Sequence, residues 1–408
     1  MTFTIKHLSV HGDGIADGPD GPIYIPFTMP GEVVDGEVVG NRLPHPKILE
    51  PSSDRVKAPC SHFKSCGGCA LQQASDQFLA EWKAEVVRNA LTAQGLDCTI
   101  RPTITSPANT RRRATFAASR TKKGVLIGFH GRASGTVVEI PNCKLLHPDI
   151  MAAMPAMEAL TKIGASRKAV ISIAITQSDA GADISIMDAK EADGPLLSEL
   201  GSLVEKFTLA RLSWNGETVA TRVPPVQNLD GIQVTPPPGA FLQATEAGQV
   251  TLTEAVKLAV GTAKHVLDLF AGCGTFSLPL ARQSQVLAME GEADLLSALD
   301  LSWRNATGLK TVETEKRDLF RNPVIVEDLK HFDAVVIDPP RAGAKSQCEE
   351  LAKSGVPVIA FVSCNPVTFA RDAKILAGGG YQIEWIQVVD QFRWSSHVEL
   401  VARFSKVQ

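Results

Sequence analysis

Short apolar runs alternate with segments of helical length from about residue 240 to the end of the chain. The runs cover residues 265–270, 285–289, 332–337 and 356–362. Parallel strands are covered on both faces by their crossover helices, so they are typically short, continuous and apolar. The alternation therefore predicts a doubly wound, Rossmann-like α/β sheet, in which a ligand binds at the carboxyl ends of the strands.

The rest of the chain shows two other patterns. Residues 1–52 contain short β-rich stretches between glycine turns, which is typical of a small barrel. Residues 53–235 mix strands and helices, including an amphipathic helix predicted over residues 76–93. A proline-rich stretch at residues 236–238 marks the next boundary. We therefore expect three domains, over residues 1–52, 53–235 and 236–408.

The composition restricts where such a protein works. The 408-residue chain is 44% hydrophobic and 21% charged, which is ordinary for a globular protein. No apolar run approaches the roughly 18 residues of a membrane-spanning helix. The N-terminus lacks the basic and apolar regions of a signal peptide. We expect a cytoplasmic protein that is a monomer and has no membrane partner.

The charge distribution bears on nucleic-acid binding. The net charge of −3 disfavours a protein that coats nucleic acid. A basic stretch over residues 111–113 and 120–123, interleaved with Phe116 and Phe129, could still contact RNA phosphates and stack on unpaired bases. An ordinary solvated edge explains the same charges equally well.

The first apolar run ends in a glycine-rich turn that contains Gly272 and Gly274. Glycine lets the backbone approach a ligand closely and adopt positive φ. The second run ends at Glu290, about 20 residues after Asp268, where an acidic side chain can accept hydrogen bonds from ribose hydroxyls. The turn is shorter than a dinucleotide-binding fingerprint, so the combination favours S-adenosylmethionine over NAD. The alternative is a plain strand–helix unit with a surface glutamate.

Three polar residues stand at or near strand ends in this half. Asp338 follows a buried strand in an Asp-Pro-Pro-Arg motif, and Cys364 follows the next strand. A cysteine at the ligand edge of the sheet is placed to act as a nucleophile, although a buried cysteine is more often a small core residue. Glu399 lies in an apolar strand, where desolvation would raise its pKa, and is a candidate base. Its alternative is a solvated carboxylate on an edge strand.

Four further cysteines indicate a metal site. Cys60, Cys66 and Cys69 lie close together, and Cys143 follows far downstream. In a long chain without a secretion signal, clustered cysteines point to metal or catalysis rather than to disulfides. Four thiolates suit either zinc or a 4Fe–4S cluster, and the spacing alone does not decide between them.

These motifs resemble those of the bacterial RNA uridine-5-methyltransferases, in particular the iron–sulfur branch that modifies large-subunit ribosomal RNA. The most specific similarity covers residues 363–372, which look like the family's nucleophile motif. Residues 11–14 and 29–34 look like the family's TRAM domain, an OB-like RNA-binding barrel. The resemblance implies a class I methyltransferase domain, an N-terminal TRAM barrel and a central α+β iron–sulfur domain.

The resemblance also implies roles for individual residues. Cys364 would attack carbon 6 of a uracil and Glu399 would remove the proton from carbon 5, making the protein an RNA (uracil-5-)-methyltransferase. The expected substrate is 23S rRNA and the expected methyl donor is S-adenosylmethionine. The residues implied to contact the donor are Gln243, Phe270, Thr275, Glu290 and Asp338. Those implied to hold a 4Fe–4S cluster are Cys60, Cys66, Cys69 and Cys143.

The sequence departs from the family's pattern at four positions. Asparagine is usual where Thr245 and Thr275 stand, and proline and threonine are usual where Arg393 and Ser395 stand. Other functions also remain open. The chain could be a tRNA uridine-5-methyltransferase, an amino-methyltransferase that needs no cysteine, or a non-catalytic iron–sulfur RNA-binding protein with a vestigial methyltransferase fold.

Overall fold

The computed structural model describes residues 1–167 and 169–407. Its N-terminal part contains two small antiparallel sheets, β1-β5-β6 and β2-β3-β4, which share a core that includes Ile5, Ile25 and Val34. These strands are β1 (Thr2–Thr4), β2 (His7–Leu8), β3 (Gly14–Gly18), β4 (Gly21–Ile25), β5 (Val33–Asp35) and β6 (Lys47–Glu50). The β-rich character predicted from the sequence is present, and the OB-like assignment stays a prediction.

The middle of the chain forms a seven-stranded sheet in the order β10-β9-β8-β11-β12-β13-β14. Its neighbours are antiparallel except for the parallel pair β12–β13. The strands are β8 (Arg113–Arg120), β9 (Val125–His130), β10 (Val137–Glu139), β11 (Val170–Thr176), β12 (Asp183–Met187), β13 (Arg211–Trp214) and β14 (Glu217–Thr221). The helices of this region are α2 (Pro148–Ala152), α3 (Met154–Gly164) and α4 (Gly194–Lys206).

The C-terminal part is built on an eight-stranded sheet in the order β19-β18-β17-β20-β21-β23-β22-β7. The strands are β7 (Ile100–Thr105), β17 (His265–Leu269), β18 (Gln285–Glu290), β19 (Val312–Lys316), β20 (Ala334–Ile337), β21 (Val358–Ser363), β22 (Tyr381–Asp390) and β23 (Glu399–Lys406). A hairpin of β15 (Gln227–Leu229) and β16 (Ile232–Val234) packs nearby. The helices are α5 (Glu246–Val260), α6 (Ser277–Leu280), α7 (Ala293–Asn305), α8 (Val326–Leu329), α9 (Lys345–Lys353) and α10 (Pro366–Gly378).

The predicted doubly wound sheet is confirmed. β17, β18, β19, β20 and β21 pair in parallel, and all four apolar runs form strands. β23 runs antiparallel to both of its neighbours, β21 and β22. The amino end of β23 therefore lies at the same edge of the sheet as the carboxyl ends of the parallel strands.

The helix predicted over residues 76–93 forms as α1 (Asp76–Thr92). The Ser75 hydroxyl caps it by accepting a hydrogen bond from the amide of Phe78 at 3.2 Å. Val87 and Leu91 of this helix are buried in the core of the C-terminal sheet, and β7 adds to the edge of that sheet beside β22. The segment from α1 to β7 thus packs with the C-terminal sheet although it precedes the middle sheet in the chain. The boundaries at residues 52 and 235 stay predictions.

Within the described residues, no helix has both the length and the apolarity that a membrane span requires.

Candidate active site

The register of three strands brings the predicted catalytic residues together. Ser363 of β21 pairs with Leu400 of β23, so Cys364 and Glu399 are the next residues beyond that pair, side by side at the sheet edge. On the other side of β21, β20 ends at Ile337 and is followed by Asp338. Parallel strands in such a sheet end at the edge where ligands bind. A thiol and two carboxyl groups therefore meet there.

Glu399 is held in a buried hydrogen-bond network. Its side chain is 3% exposed, and it accepts a hydrogen bond on Oε2 from Gln391 Nε2 at 2.9 Å. The same Gln391 nitrogen donates to Oε1 of Gln243 at 2.6 Å, and Gln391 Oε1 accepts from the amide of Ala244 at 2.7 Å. Burial raises the pKa of Glu399 to about 7. A carboxyl group with this pKa can accept a proton at neutral pH and release it again.

Gln391 was not identified from the sequence. It joins two residues that were, because one side-chain nitrogen is shared between Gln243 and Glu399. The sequence signal is weak, because Gln391 follows Asp390 in a stretch that also contains the polar residues Gln387 and Arg393.

Cys364 is half-buried at the tip of β21. Burial, together with the carboxylates of Glu399 and Asp338, raises its pKa to about 11, and the Arg341 guanidinium opposes this rise. The thiol is therefore protonated at neutral pH in the protein alone. Arg341 lies 2.6 Å from Nδ1 of His397, measured from a guanidinium nitrogen, and both residues line the same cleft as Cys364.

That cleft has a volume of about 1360 Å³. It runs from Cys364 and Arg341 between α1 and the N-terminal strands, where Lys6, His7 and His11 line its far side. A cleft of this size is large enough for several nucleotides rather than for a single small molecule. The Cys364 thiol is part of its lining.

A third carboxyl group, that of Asp268, lies near Asp338. Asp268 of β17 is buried, its Oδ2 accepts a hydrogen bond from the Ser277 hydroxyl, and its Oδ1 has no hydrogen-bond partner among the described residues. Burial raises the pKa of Asp268 to about 7. Burial, with the nearby charges of Glu399 and Asp268, raises the pKa of Asp338 well above its usual range. Such a group of carboxyls favours a ligand that carries positive charge.

The glycine turn after β17 has the backbone that its sequence predicted. Phe270 and Gly272 adopt φ values of 62° and 56°, and a Cβ on Gly272 would meet nothing within 4 Å, so this backbone is open to a ligand. Glu290 Oε2 accepts a hydrogen bond from the Gly272 amide at 3.1 Å. The structure therefore places Phe270 and Glu290 at one site, with Thr275 on the same turn.

A second aromatic residue, which was not predicted from the sequence, lies beside this turn. The Phe320 ring lies 5.4 Å from the Phe270 ring and is 50% exposed. It follows β19, the strand for which no apolar run was recognised because four of its five residues are polar and exposed. Its flat exposed face is available to an aromatic ligand.

The departures from the family pattern have local structural roles. Thr245 caps α5 by accepting a hydrogen bond from the Gly248 amide at 2.9 Å, and its hydroxyl also lies 2.7 Å from that of Ser106. Arg393 donates two hydrogen bonds to the carboxylate of Asp76, both at 2.6 Å. Nothing in the structure explains Ser395 beyond a 3.1 Å hydrogen bond that its hydroxyl accepts from the His397 amide.

The prediction of RNA contacts is wrong for some side chains of the basic stretch. Arg112 is 4% exposed and its guanidinium binds the Gln243 carbonyl at 3.1 Å and Oε1 of Gln249 at 2.6 Å. Phe116 is also buried and stacks on Phe129, with ring centroids 5.0 Å apart. These side chains support the protein rather than meet a ligand, because apolar packing and internal acceptors hold them. The exposed cations of residues 120–123 at the β8–β9 turn remain candidates.

The four predicted ligand cysteines lie near one another. Burial, together with the charges of Cys143, Cys66 and Cys60, raises the pKa of Cys69 to about 12. Cys66 accepts a hydrogen bond from the Gly68 amide at 3.4 Å. Within the described residues, however, no three His, Cys, Asp or Glu side chains are arranged so that they could hold a metal ion. The structure thus gathers the thiols and does not show a metal site.

Comparisons with known proteins agree with this geometry. The family model for tRNA (uracil-5-)-methyltransferase matches residues 232–406. An uncharacterised RNA methyltransferase of Rhizobium meliloti is 43% identical over 99% of this chain and 99% of its own length. The 23S rRNA (uracil(1939)-C(5))-methyltransferase RlmD of Vibrio parahaemolyticus is 30% identical over 98% of this chain and 95% of its own length.

A solved structure shows the same fold along the chain. The Pyrococcus abyssi tRNA (uracil-54, C5)-methyltransferase, crystallised with S-adenosyl-L-homocysteine, superposes with a TM-score of 0.78 at 24% identity, covering 99% of both chains. The α/β class I methyltransferase fold is therefore confirmed. The chain belongs to the RNA uracil-5-methyltransferase family and is an RNA methyltransferase.

Proposed function

We propose that this enzyme methylates carbon 5 of a specific uridine in RNA and forms a covalent adduct through Cys364. The observation that carries the proposal is the register of β21 and β23, which sets the Cys364 thiol beside the buried Glu399 carboxyl group at the ligand edge of the sheet. S-adenosylmethionine, when bound, supplies the electrophilic methyl group.

The reaction follows from the chemistry of the pyrimidine. Carbon 5 of uracil is a weak nucleophile. The Cys364 thiol therefore first loses its proton to solvent and adds as thiolate to carbon 6, and the electron pair moves through carbon 5 to the carbonyl at carbon 4. The resulting enolate makes carbon 5 nucleophilic, and carbon 5 takes the methyl group as the bond between that methyl and the sulfonium sulfur breaks, which leaves S-adenosylhomocysteine. Glu399 then removes the proton from carbon 5. The carbon 6–sulfur bond breaks, and Cys364 leaves as thiolate with the 5-methyluracil ring restored.

The donor site is supported by the residues around the glycine turn. We propose that Glu290 binds the ribose hydroxyls and that Phe270 and Thr275 flank the nucleoside, since all three lie at the open backbone of Gly272. Gln243, which is held by Gln391, would face the amino-acid and sulfonium end of the donor. Asp338 would face the same end, because it lies among carboxyl groups that favour a cation. The positively charged donor would thus lie next to buried carboxyl groups.

The RNA would enter through the cleft that Cys364 lines, with the target base turned out of its stack to reach the thiol. We propose 23S rRNA as the substrate because the RlmD relative, which acts on 23S rRNA, aligns along nearly the whole chain. The N-terminal sheets would form the OB-like TRAM barrel beside this cleft. Transfer RNA is the alternative substrate.

The substrate can be identified by mass-spectrometric mapping of 5-methyluridine in total RNA from cells with and without the gene. Loss of one 5-methyluridine in 23S rRNA would support the proposal. Loss of one in tRNA would replace the substrate and leave the reaction unchanged. Loss of a methyl group on a nitrogen atom, or methylation by Cys364→Ala, would contradict the covalent mechanism.

We further propose that Cys60, Cys66, Cys69 and Cys143 hold a 4Fe–4S cluster in the predicted central α+β domain. Their mutual electrostatic influence shows that the four thiols share one region, and four thiolates suit such a cluster. Methyl transfer needs no electron transfer, so the cluster would stabilise this region. Protein purified without oxygen should be brown and contain iron and sulfide. A colourless protein with one zinc per chain would contradict this assignment.

A further inference from the structure

The loop that joins β22 to β23, residues 391–398, begins with Gln391 and leads directly into Glu399. Three attachments hold Asp390 and the first half of this loop, and each of them involves residues 70–83 of the chain. These contacts connect the loop to a segment about 300 residues away in sequence. Their partners Ala70, Leu71, Asp76 and Lys83 do not line the cleft that contains Cys364.

The innermost attachment is a buried ion pair. Lys83 lies on α1 with its side chain fully buried, and its ammonium group donates to Asp390 Oδ1 at 2.5 Å and to the Phe392 carbonyl at 3.2 Å. Loss of one partner of a buried ion pair leaves the other charge uncompensated, and Asp390 Oδ2 already has no hydrogen-bond partner among the described residues. Lys83 therefore grips the loop on both sides of Gln391.

The second attachment is at the rim of α1. Arg393 donates two hydrogen bonds to Asp76, the first residue of α1, and a third to the Ser106 carbonyl at 3.2 Å. Both hydrogen bonds to Asp76 come from the same guanidinium nitrogen, so Asp76 and the Ser106 carbonyl together hold the Arg393 side chain in place.

The third attachment holds a strained residue. Trp394 adopts a φ of 61°, which is unfavourable for a residue with a bulky side chain. Its carbonyl accepts hydrogen bonds from the amides of Ala70 at 2.8 Å and Leu71 at 3.0 Å, and its side chain is buried beside Leu71. These contacts from Ala70 and Leu71 keep the backbone of Trp394 in this conformation.

We propose that Lys83 and Arg393 are positioning residues for the base of the methylation reaction. They hold residues 390–394 so that Gln391 aims its amide nitrogen at Glu399, and they thereby set the carboxyl group against carbon 5 of the adduct. This inference rests on the proposed function. Since Glu399 acts only after the methyl group has moved, a loosened loop slows release of the RNA much more than it slows methyl transfer, which the loop reaches only through the contact of Gln391 with Gln243.

The test measures two rates separately in single-turnover reactions. Total RNA from cells lacking the gene is mixed with excess enzyme and radiolabelled S-adenosylmethionine. Methyl transfer is measured as label in RNA, and resolution as the disappearance of protein–RNA adduct that survives denaturing electrophoresis. Arg393→Ala and Lys83→Met should slow resolution by about tenfold or more and change methyl transfer by no more than about twofold.

Matched variants exclude a general loss of stability. Arg393→Lys keeps a positive charge beside Asp76 and should recover part of the resolution rate. The paired exchange of Asp76→Arg with Arg393→Asp should recover more than either single change. Lys257→Ala removes a partly exposed ion pair between α5 and Asp230, away from the loop, as Arg393→Ala removes the partly exposed pair with Asp76, and should leave both rates unchanged.

The inference is overturned if Arg393→Ala and Lys83→Met slow both steps equally, or if they only lower the melting temperature. A raised KM for RNA with a normal resolution rate would assign Arg393 to RNA binding instead. Glu399→Gln, assayed in parallel, separates the two levels. Adduct that accumulates with Glu399→Gln but not with the loop variants rejects the positioning role alone, and no adduct with any variant rejects the proposed reaction itself.

Discussion

Roles are proposed for cysteines in two regions of the protein, and the surroundings of these regions differ. Burial and nearby charges raise the pKa of Cys364 to about 11 and that of Cys69 to about 12. Around Cys364 the neighbours are carboxyl groups and Arg341, in the lining of a cleft. Around Cys69 they are other cysteines and the Arg111 guanidinium. The first arrangement can move protons during a reaction. In the second the thiols outnumber the guanidinium, and an added metal cluster would let all of their thiolates coexist.

The neighbours of a thiol, more than the burial of the thiol itself, decide which chemical role it can have. Cys364 has a proton acceptor beside it and space in front of it, which is what covalent catalysis requires. The charges that act on Cys66, Cys69 and Cys143 come from one another, from Cys60 and from Arg111, rather than from carboxyl groups. Binding of a metal cluster would release protons and relieve the repulsion between thiolates. Substitutions in the two regions should therefore give different kinds of defect.

The largest expected effect is that of Cys364→Ala. Loss of the thiol removes the route to a nucleophilic carbon 5, so methylation should fall by at least about 10³-fold, with no covalent adduct. The measurement is transfer of labelled methyl groups to RNA. Cys98→Ala, a half-buried thiol outside both regions, should keep nearly full activity. Wild-type methylation by Cys364→Ala would place this thiol among the structural cysteines.

Glu399→Gln should separate the two halves of the reaction. The methyl group can still move, but the proton on carbon 5 has no acceptor, so release of RNA should slow by about 10²-fold and adduct should accumulate. A denaturing gel of the labelled complex measures this. Glu384→Gln, a partly exposed glutamate on β22 paired with Arg403, is the matched control and should form no excess adduct. Normal release by Glu399→Gln would remove it from the mechanism.

Cys143→Ser should affect the other region and leave the chemistry intact. We expect loss of visible absorbance and of bound iron, and a melting temperature lower by roughly 5 °C or more, because a bound cluster stabilises only the folded state. Single-turnover methyl transfer below the melting temperature should persist. Cys98→Ser serves as the control. Full iron content in Cys143→Ser would show that Cys143 is not a ligand.

The smallest effect concerns pH and stability. The pKa of Glu399 is raised from 4.5 to about 7, so its favourable contribution to folding is complete below about pH 4.5 and is lost as the pH rises through 7. The neutral amide of Glu399→Gln escapes this loss and can still accept from Gln391. The variant should exceed wild type in unfolding free energy by about 1–3 kcal/mol at pH 8, and by less at pH 5. Denaturant titrations at both pH values measure the difference, and an equal gap at both would contradict the raised pKa.

The sequence was most informative where function follows from local order along the chain. Cys364 and Asp338 could be placed because each ends an apolar strand, and strand ends of a parallel sheet meet at one edge. The glycine turn could be recognised because its conformation needs glycine. In each case a few neighbouring residues carry the whole signal.

The remaining features depend on residues far apart in the chain. Lys83 interrupts the apolar face of α1 between Leu79 and Val87, and its partner Asp390 lies 307 residues away, so the sequence offers no reason for a buried lysine. Arg112 looked like a surface cation because its acceptors, Gln243 and Gln249, come from another part of the chain. Long-range pairing of polar groups leaves no periodic pattern to read.

The most direct test of the central claim uses RNA in which uridine is replaced by 5-fluorouridine. Fluorine on carbon 5 cannot be removed as a proton is, so an enzyme that attacks carbon 6 becomes trapped after methyl transfer. The trapped complex is digested and its peptides are analysed by mass spectrometry. We predict a methylated fluorouracil adduct on the peptide that contains Cys364, absent from Cys364→Ala. An adduct on another residue, or methylation of normal RNA with no trapped complex, would contradict the account.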